Sequence, residues 1–395
     1  MTTAAQPGAA GGPTGVWDVV VVGAGPAGCV AALTAASAGA RTLILERGDH
    51  PRYKTCGGGL IGPSLANLPP GLDLPVRQEV REALITYRGR AATRARDARL
   101  LLPLVDRFDF DAALLAAAEC AGATVRRHAP VKRLRDCADH VVLEAGGGSV
   151  TARAVVGADG TSGQVGRHVG VELDEIDVGL EAEIPLPESQ RARWADTVLL
   201  DWGELRGSYG WVFPKGDRLT VGVIADRSAG TAARAELSRF LVRLGLDDIP
   251  GTTSSGHLTR CRTPASPLSR GRVLVAGDAA GLLEPWSREG ISFALRSGRA
   301  AGTAAAKIAT AADDRDAAAA ASGYTAAIEA TLAPEMAAGR QLREVQSRHP
   351  RLLQAIFSLP GGHRLFADVV TGRTTLTAVM AHRSARTAAW ILGRV

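Results

Sequence analysis

The chain has 395 residues, 46% of them hydrophobic and 22% charged, which is enough apolar material for two or three packed domains and argues against overall disorder. Its formal net charge of +6 suits an anionic cofactor or substrate, or a membrane surface, or marks nothing specific, since whole-chain charge discriminates weakly. Five cysteines without a CxxC pair argue against a disulfide framework and a structural zinc site, and no apolar run reaches the roughly 18 residues of a transmembrane helix.

Residues 1–15 are mostly Ala, Gly, Pro and Thr and read as a disordered leader. They carry neither the basic stretch nor the apolar stretch of a secretion signal, so a cytoplasmic location is expected. Trp17 to Val22 is a β-branched run expected to form a buried parallel strand. Gly23-Ala24-Gly25-Pro26-Ala27-Gly28 follows, then an Ala-rich helix towards Ala38 with Gly39 as its stop. Thr42 to Leu45 is the next strand and ends at Glu46-Arg47. This β-α-β unit carries the dinucleotide fingerprint. Gly23 permits the tight turn, Gly25 lets backbone approach a pyrophosphate, and Gly28 lets helix and strand pack closely. The helix N-terminus presents free N–H groups to phosphate, and Glu46 stands where a carboxylate accepts bonds from ribose hydroxyls.

Pro51 to Leu60 is a Gly-rich loop and Pro63 to Pro75 is turn-rich. Val80 to Thr93 reads as short strands, and Arg107 to Ala121 as a helix. From Thr124 short strands alternate with turns, ending in a strand that runs into Gly157-Ala158-Asp159-Gly160. Val178 to Ala225, with Trp194, Trp202 and Trp211, reads as an antiparallel sheet. Ala232 to Leu244 is a helix. Arg272 to Ala276 is another buried strand, reaching Gly277-Asp278. A long helix is expected after Gly290, continuing into the Ala-rich tract around Ala317, and the remainder from Pro334 reads as helical with breaks at Pro350 and Pro360. A carboxylate such as Asp278, at the C-terminal end of a parallel strand, faces the crevice where such folds bind ligands.

Three segments in order, Arg107-Phe108-Asp109, Asp159-Gly160 and Gly277-Asp278 with Gly290-Ile291 behind it, resemble the FAD-dependent family of aromatic hydroxylases, flavin halogenases and geranylgeranyl reductases, the para-hydroxybenzoate-hydroxylase-like superfamily. The resemblance implies an α/β fold. A glutathione-reductase-type Rossmann FAD-binding domain would be built from residues 16–75, 100–170 and 258–333. An antiparallel-sheet substrate domain would come from 76–99 and 171–257, and a helical C-terminal region from 334–395. It also implies FAD contacts at Gly23, Gly25, Pro26, Ala27, Gly28, Glu46, Arg47, Arg107, Val131, Asp159, Gly160, Gly277, Asp278, Gly290 and Ile291, with Asp278 on the ribityl chain.

Two further segments narrow the branch. Pro51-Arg52-Tyr53-Lys54-Thr55-Cys56-Gly57-Gly58-Gly59 is similar to the Pro-Arg-x-Lys-x-Cys-Gly-Gly segment of geranylgeranyl reductases. That likeness places Cys56, Gly57 and Gly58 beside the flavin ring, with Cys56 as the candidate catalytic relay; the bland reading is a structural cysteine. Tyr209-Gly210-Trp211-Val212-Phe213-Pro214, followed by Val221-Gly222-Val223, is similar to the Tyr-x-Trp-x-Phe-Pro…Gly-x-Gly pattern of prenyl reductases, with Ile224 where the second glycine would fall. Tyr209, Trp211 and Phe213 then line a substrate tunnel, against the alternative that they are core aromatics. The Trp-x-Trp-x-Ile-Pro signature of flavin halogenases is missing.

The expected activity is reduction of carbon–carbon double bonds of an isoprenoid by hydride from reduced FAD. The alternative is an FAD-dependent monooxygenase, a hydroxylase or epoxidase tailoring a natural product. The electron donor is NADPH or a reduced ferredoxin, and the sequence does not choose between them. No metal and no nucleic acid are expected, and the oligomeric state is left open. Leu352, Leu353, Ile356, Phe357 and Leu359 beside Arg348 and Arg351 form a stripe that suits either a core face or peripheral membrane contact.

Overall fold

The β-branched run Trp17–Val22 forms the central strand of a parallel sheet, flanked by Thr42–Leu45 on one side and Gly148–Gly157 on the other. Thr124–Arg126 and Val273–Val275 extend it to five parallel strands. Both faces are covered, so Val19, Val20 and Val21 are fully buried, and an uninterrupted apolar run is what such a strand requires. This computed structural model describes residues 15–203 and 205–382. All but Gly15 of the leader expected over residues 1–15 lies outside the described residues, as do residues 383–395 of the C-terminal region.

The turn after the first strand needs glycine. Gly23 has φ of 101°, and a Cβ there would stand 2.3 Å from the carbonyl oxygen of Ala158. Pro26 opens the Pro26–Ser37 helix at its first turn, where a missing N–H costs nothing. That helix packs against the Ile291–Ala309 helix through two more glycines: Cβ atoms at Gly298 and Gly302 would come within 2.3 and 2.4 Å of the Ala27 and Ala31 carbonyl oxygens.

The second sheet has seven strands, ordered 253–262, 173–185, 218–226, 209–214, 197–202, 82–87 and 90–96. It is antiparallel except at one joint, because Thr197–Trp202 runs parallel to Glu82–Tyr87. The strands between Val178 and Ala225 pair antiparallel as expected; the parallel partner comes from an earlier part of the chain. Trp194 is not on a strand but ends a short helix, Arg191–Trp194. The long helix after Gly290 is also interrupted. It ends at Ala309, and the Asp313 side chain accepts the Asp316 N–H at 2.9 Å to cap a separate helix, Asp314–Thr331.

The C-terminal helices Ala333–Arg348, Pro350–Ser358 and Pro360–Val370 begin at or next to prolines, as expected from Pro350 and Pro360. Leu353, Phe357, Phe366 and Ala367 from them form one core with Ala83, Ile85, Trp202 and Trp286. The helices are therefore packed against the second sheet. Among the described residues no helix is long and apolar enough to cross a membrane.

Candidate functional site

The two sheets and the C-terminal helices enclose a cavity of about 910 Å³, a size typical of cofactor and ligand sites. The parallel-sheet side contributes Gly23, Gly25, Pro26, Ala27, Glu46, Arg47, Val131, Asp159, Gly160, Asp278, Gly290 and Ile291. The loop after Pro51 contributes Cys56, Gly57 and Gly58, and Arg107 joins from the start of its helix. Tyr209, Trp211 and Phe213 line it from the second sheet. Two expected contact residues, Gly28 and Gly277, lie behind the wall instead. A Cβ at Gly28 would meet the Gly23 oxygen at 1.9 Å, and Gly277 donates its N–H to the Ser297 hydroxyl at 2.9 Å. Their part is to hold the wall in place.

Glu46 is buried, and its carboxylate accepts the N–H groups of Ala24 at 2.7 Å and Gly48 at 3.2 Å. It fixes the glycine turn while keeping acceptor capacity, since a carboxylate offers about four lone-pair sites. Arg107 makes a two-pronged bond to the fully buried Asp111, at 2.6 and 2.8 Å. Arg52 lies 3.5 Å from the same carboxylate and close to Gly25, with its Nη1 buried and without a hydrogen bond. Sequence reasoning named Arg107 alone; the i,i+4 spacing of Arg107 and Asp111 was the available signal for the rest.

The cavity fits FAD on its own features. The glycine turn is a cradle that a Cβ would fill, and the Arg52 guanidinium lies beside it. Asp159 Oδ1 and His257 Nε2 are also buried, lining the cavity and unpartnered, and native proteins rarely leave such atoms unsatisfied. Burial raises the pKa of Asp159 and, with the nearby charge of Lys54, lowers that of His257 to about 4. Lys54 is itself lowered by burial and by Arg107, an effect that Asp278 opposes. Lys54 stands in the matched Pro-Arg-x-Lys segment without a role assigned from sequence, and His257 was not singled out.

Cys56 sits at the seam. Its N–H donates to Glu181 at 3.3 Å, its carbonyl accepts from Lys215 at 3.3 Å, and its thiol interacts with the Arg107 guanidinium. A Cβ at Gly57 would lie 2.5 Å from the Phe213 ring and one at Gly58 2.0 Å from the Val105 oxygen. The glycines let the loop lie flat against the aromatic strand. Among the described residues Cys56 is the one cysteine lining the cavity.

The rest of the cavity is apolar and aromatic. Trp202, Trp286 and Phe366 join Tyr209 and Trp211, with Leu200, Ile224, Val369 and Leu376 between them. The Tyr209 hydroxyl donates to the Ser287 carbonyl oxygen, fixing the ring.

A family model described as FAD dependent oxidoreductase matches residues 18–184. The chain is 32% identical over 311 residues to digeranylgeranylglycerophospholipid reductase 2 of Methanopyrus kandleri, covering 74% of this chain and 77% of that one. It is 31% identical to the chloroplastic geranylgeranyl diphosphate reductase of Oryza sativa, covering 71% of this chain and 64% of that one. Among solved structures, a geranylgeranyl bacteriochlorophyll reductase-like protein from Thermoplasma acidophilum matches with a TM-score of 0.75 at 22% identity, over 92% of this chain and 98% of its own.

Proposed function

The chain belongs to the geranylgeranyl reductase family of FAD-dependent oxidoreductases, and on that footing we propose that it saturates carbon–carbon double bonds of an isoprenoid substrate. The observation that carries this reading is the continuity of one cavity from the glycine cradle to the aromatic chamber. The glycine turn at Gly23 and Gly25, the Cys56 loop and the aromatic residues of the second sheet line a single space. Bound FAD, once reduced, supplies a hydride equivalent.

The chain's own residues do the rest. Gly23, Gly25, Pro26 and Ala27, with Arg52, hold the pyrophosphate; Glu46 and Arg47 hold the adenosine side, with Val131 beside it; Asp159, Gly160, Asp278, Gly290 and Ile291 hold the remainder of the cofactor, Asp278 at the ribityl chain. Cys56, Gly57, Gly58 and Arg107 set the face on which the alkene lies. Tyr209, Trp211 and Phe213 grip the isoprenoid, and the C-terminal helices exclude water, which an isolated alkene needs because its reduction passes through a cation-like state. NADPH or a reduced ferredoxin is the proposed reductant.

Contact with a lipid surface forms part of the same proposal. Leu352, Ile356 and Leu365 stay exposed on helices whose other face closes the chamber, and Leu359 is exposed at the joint between two of them. The test of the reading is anaerobic incubation of the reduced holoprotein with geranylgeranyl diphosphate, followed by mass spectrometry. A product heavier by one H₂ per reduced bond supports it. Unchanged substrate, with hydroxylated or epoxidised product once air is admitted, replaces it with the monooxygenase.

A further inference from the structure

We propose that Glu181 donates the proton that completes alkene reduction and is reloaded from solvent through the Tyr53 hydroxyl and Ser255. This rests on the reductase reading.

Strand register puts Trp211, Gly222, Glu181 and Ser255 side by side across four neighbouring strands, on one face of the sheet. A Cβ at Gly222 would stand 2.1 Å from the Trp211 ring, so the missing side chain is what lets the indole lie across the row towards Glu181. Glu181 lines the cavity and is 1% exposed. Its Oε2 is buried without a hydrogen-bond partner, and so is Trp211 Nε1. An acceptor and a donor left open in the same cavity row mark a place where a ligand or a water is held.

The other carboxylate oxygen is tied to a path outward. Glu181 Oε1 accepts the Tyr53 O–H at 2.8 Å and the Cys56 N–H at 3.3 Å. The Tyr53 hydroxyl is 3.0 Å from Ser255 Oγ, which also accepts from Thr55 at 3.0 Å. Tyr53 is 53% exposed. A hydrogen-bonded chain therefore runs from solvent to a buried acid beside the loop of Cys56.

Burial pushes the Glu181 carboxyl up to about 6, with Tyr53 and Lys215 opposing and Glu183 adding to the rise. The other ionisable groups that face it are Cys56 and Lys54 from the loop and His257 from the neighbouring strand. A carboxylic acid with that acidity is poised to give a proton near neutral pH.

The step balances. The Glu181 O–H bond breaks and leaves its electron pair on the carboxylate, while a C–H bond forms from the alkene π pair. The adjacent carbon takes a hydride from the reduced cofactor, which is thereby oxidised by two electrons. Burial holds the Tyr53 phenol above its usual acidity range, so the carboxylate is reloaded in one concerted movement: Tyr53 gives its proton to Glu181 as its oxygen takes one from the Ser255 side, and no phenolate forms.

The experiment uses holoprotein reduced anaerobically with dithionite, freed of excess reductant and mixed with geranylgeranyl diphosphate in stopped flow. Wild type, Glu181→Gln and Tyr53→Phe are compared across pH, with FAD content and visible absorbance as the check on folding. Alkene-driven reoxidation is expected to fall about 100-fold or more in Glu181→Gln, the usual scale of a lost acid, and to lose its pH dependence near 6. Infrared titration of the same proteins without substrate should show, beside the bands of other buried acids such as Glu284 and Glu289, a protonated-carboxyl component that titrates near 6 in wild type. That component should be missing from Glu181→Gln and shifted in Tyr53→Phe. Reoxidation within about threefold of wild type in Glu181→Gln, against that expected scale, overturns the assignment and leaves the reductase reading intact. So does an unchanged infrared band. A wild-type protein that ignores the alkene overturns both, and is recognised by failing before any variant is made.

Discussion

Ile224 occupies the position at which the prenyl-reductase pattern has its second glycine, and its side chain lines the cavity against Tyr209 and Gly179. It takes up volume where the isoprenoid would lie. Ile224→Ala is expected to raise kcat/KM for longer or bulkier prenyl chains relative to short ones and to cost roughly 2 kcal/mol or more of stability, as other buried truncations do. Parallel turnover assays and thermal melts read the two effects; an unchanged chain-length preference removes Ile224 from the substrate wall. Glu181 gives a second prediction at this scale. Burial raises its pKa from 4.5 to about 6, so its burial weighs least on the fold below about pH 4.5. The cost grows as pH rises through 6, to about 2 kcal/mol at the plateau. Glu181→Gln removes that cost, so its melting temperature relative to wild type should be higher at pH 8 than at pH 5. An equal difference at both pH values contradicts the buried-acid picture. The contrast with Glu46 shows what single residues reveal in sequence. Glu46 follows a strand at a fixed distance from a glycine motif, whereas Glu181 is one position of an alternating strand. Its importance comes from Tyr53, 128 residues away, and no local pattern carries that pairing.

Elements were legible where their signal is local. The first strand, glycine turn and helix follow from a β-branched run, positive-φ glycine and a proline at the helix start, and Pro350 and Pro360 mark real helix starts. The parallel joint between Thr197–Trp202 and Glu82–Tyr87 was not legible, because strands distant in sequence choose partners through tertiary packing. Nor was the stop at Ala309, where a run of alanines hid the cap at Asp313. The helix pair Pro26–Ser37 and Ile291–Ala309 carries a prediction of its own. Gly298 brings the backbones together just behind the Gly23–Gly25 turn, with a Cβ position 2.3 Å from the Ala27 oxygen. Gly298→Ala must part the helices and disturb Gly25 and Ile291 together. An increase in the FAD dissociation constant of about tenfold or more is expected, with a loss of stability of about 1–3 kcal/mol from overpacking. Fluorescence titration of the FAD-free chain measures it, and an unchanged constant would mean the helix pair tolerates the extra methyl.

At the scale of the whole molecule, the C-terminal helices pack against the second sheet and close one side of the cavity. Their inner side chains Leu353, Phe357 and Phe366 seal the aromatic chamber, and their outer ones Leu352, Ile356 and Leu359 face solvent. The sequence stripe is therefore divided: Leu353 and Phe357 belong to the core, and Leu352, Ile356 and Leu359 are exposed. Replacing Leu352, Ile356 and Leu359 together with serine should lower co-sedimentation with anionic lipid vesicles while leaving FAD content unchanged. Equal sedimentation would reject this face as a lipid contact. The reductase and the monooxygenase share a fold, so only the fate of the reduced flavin separates them. The deciding measurement is anaerobic stopped-flow absorbance of the dithionite-reduced holoprotein mixed with a geranylgeranyl substrate, and separately with oxygen. Reappearance of oxidised flavin on mixing with the alkene in the absence of oxygen is the expected result. Flavin that stays reduced with the alkene, and is reoxidised by oxygen at a rate the substrate changes, would contradict it.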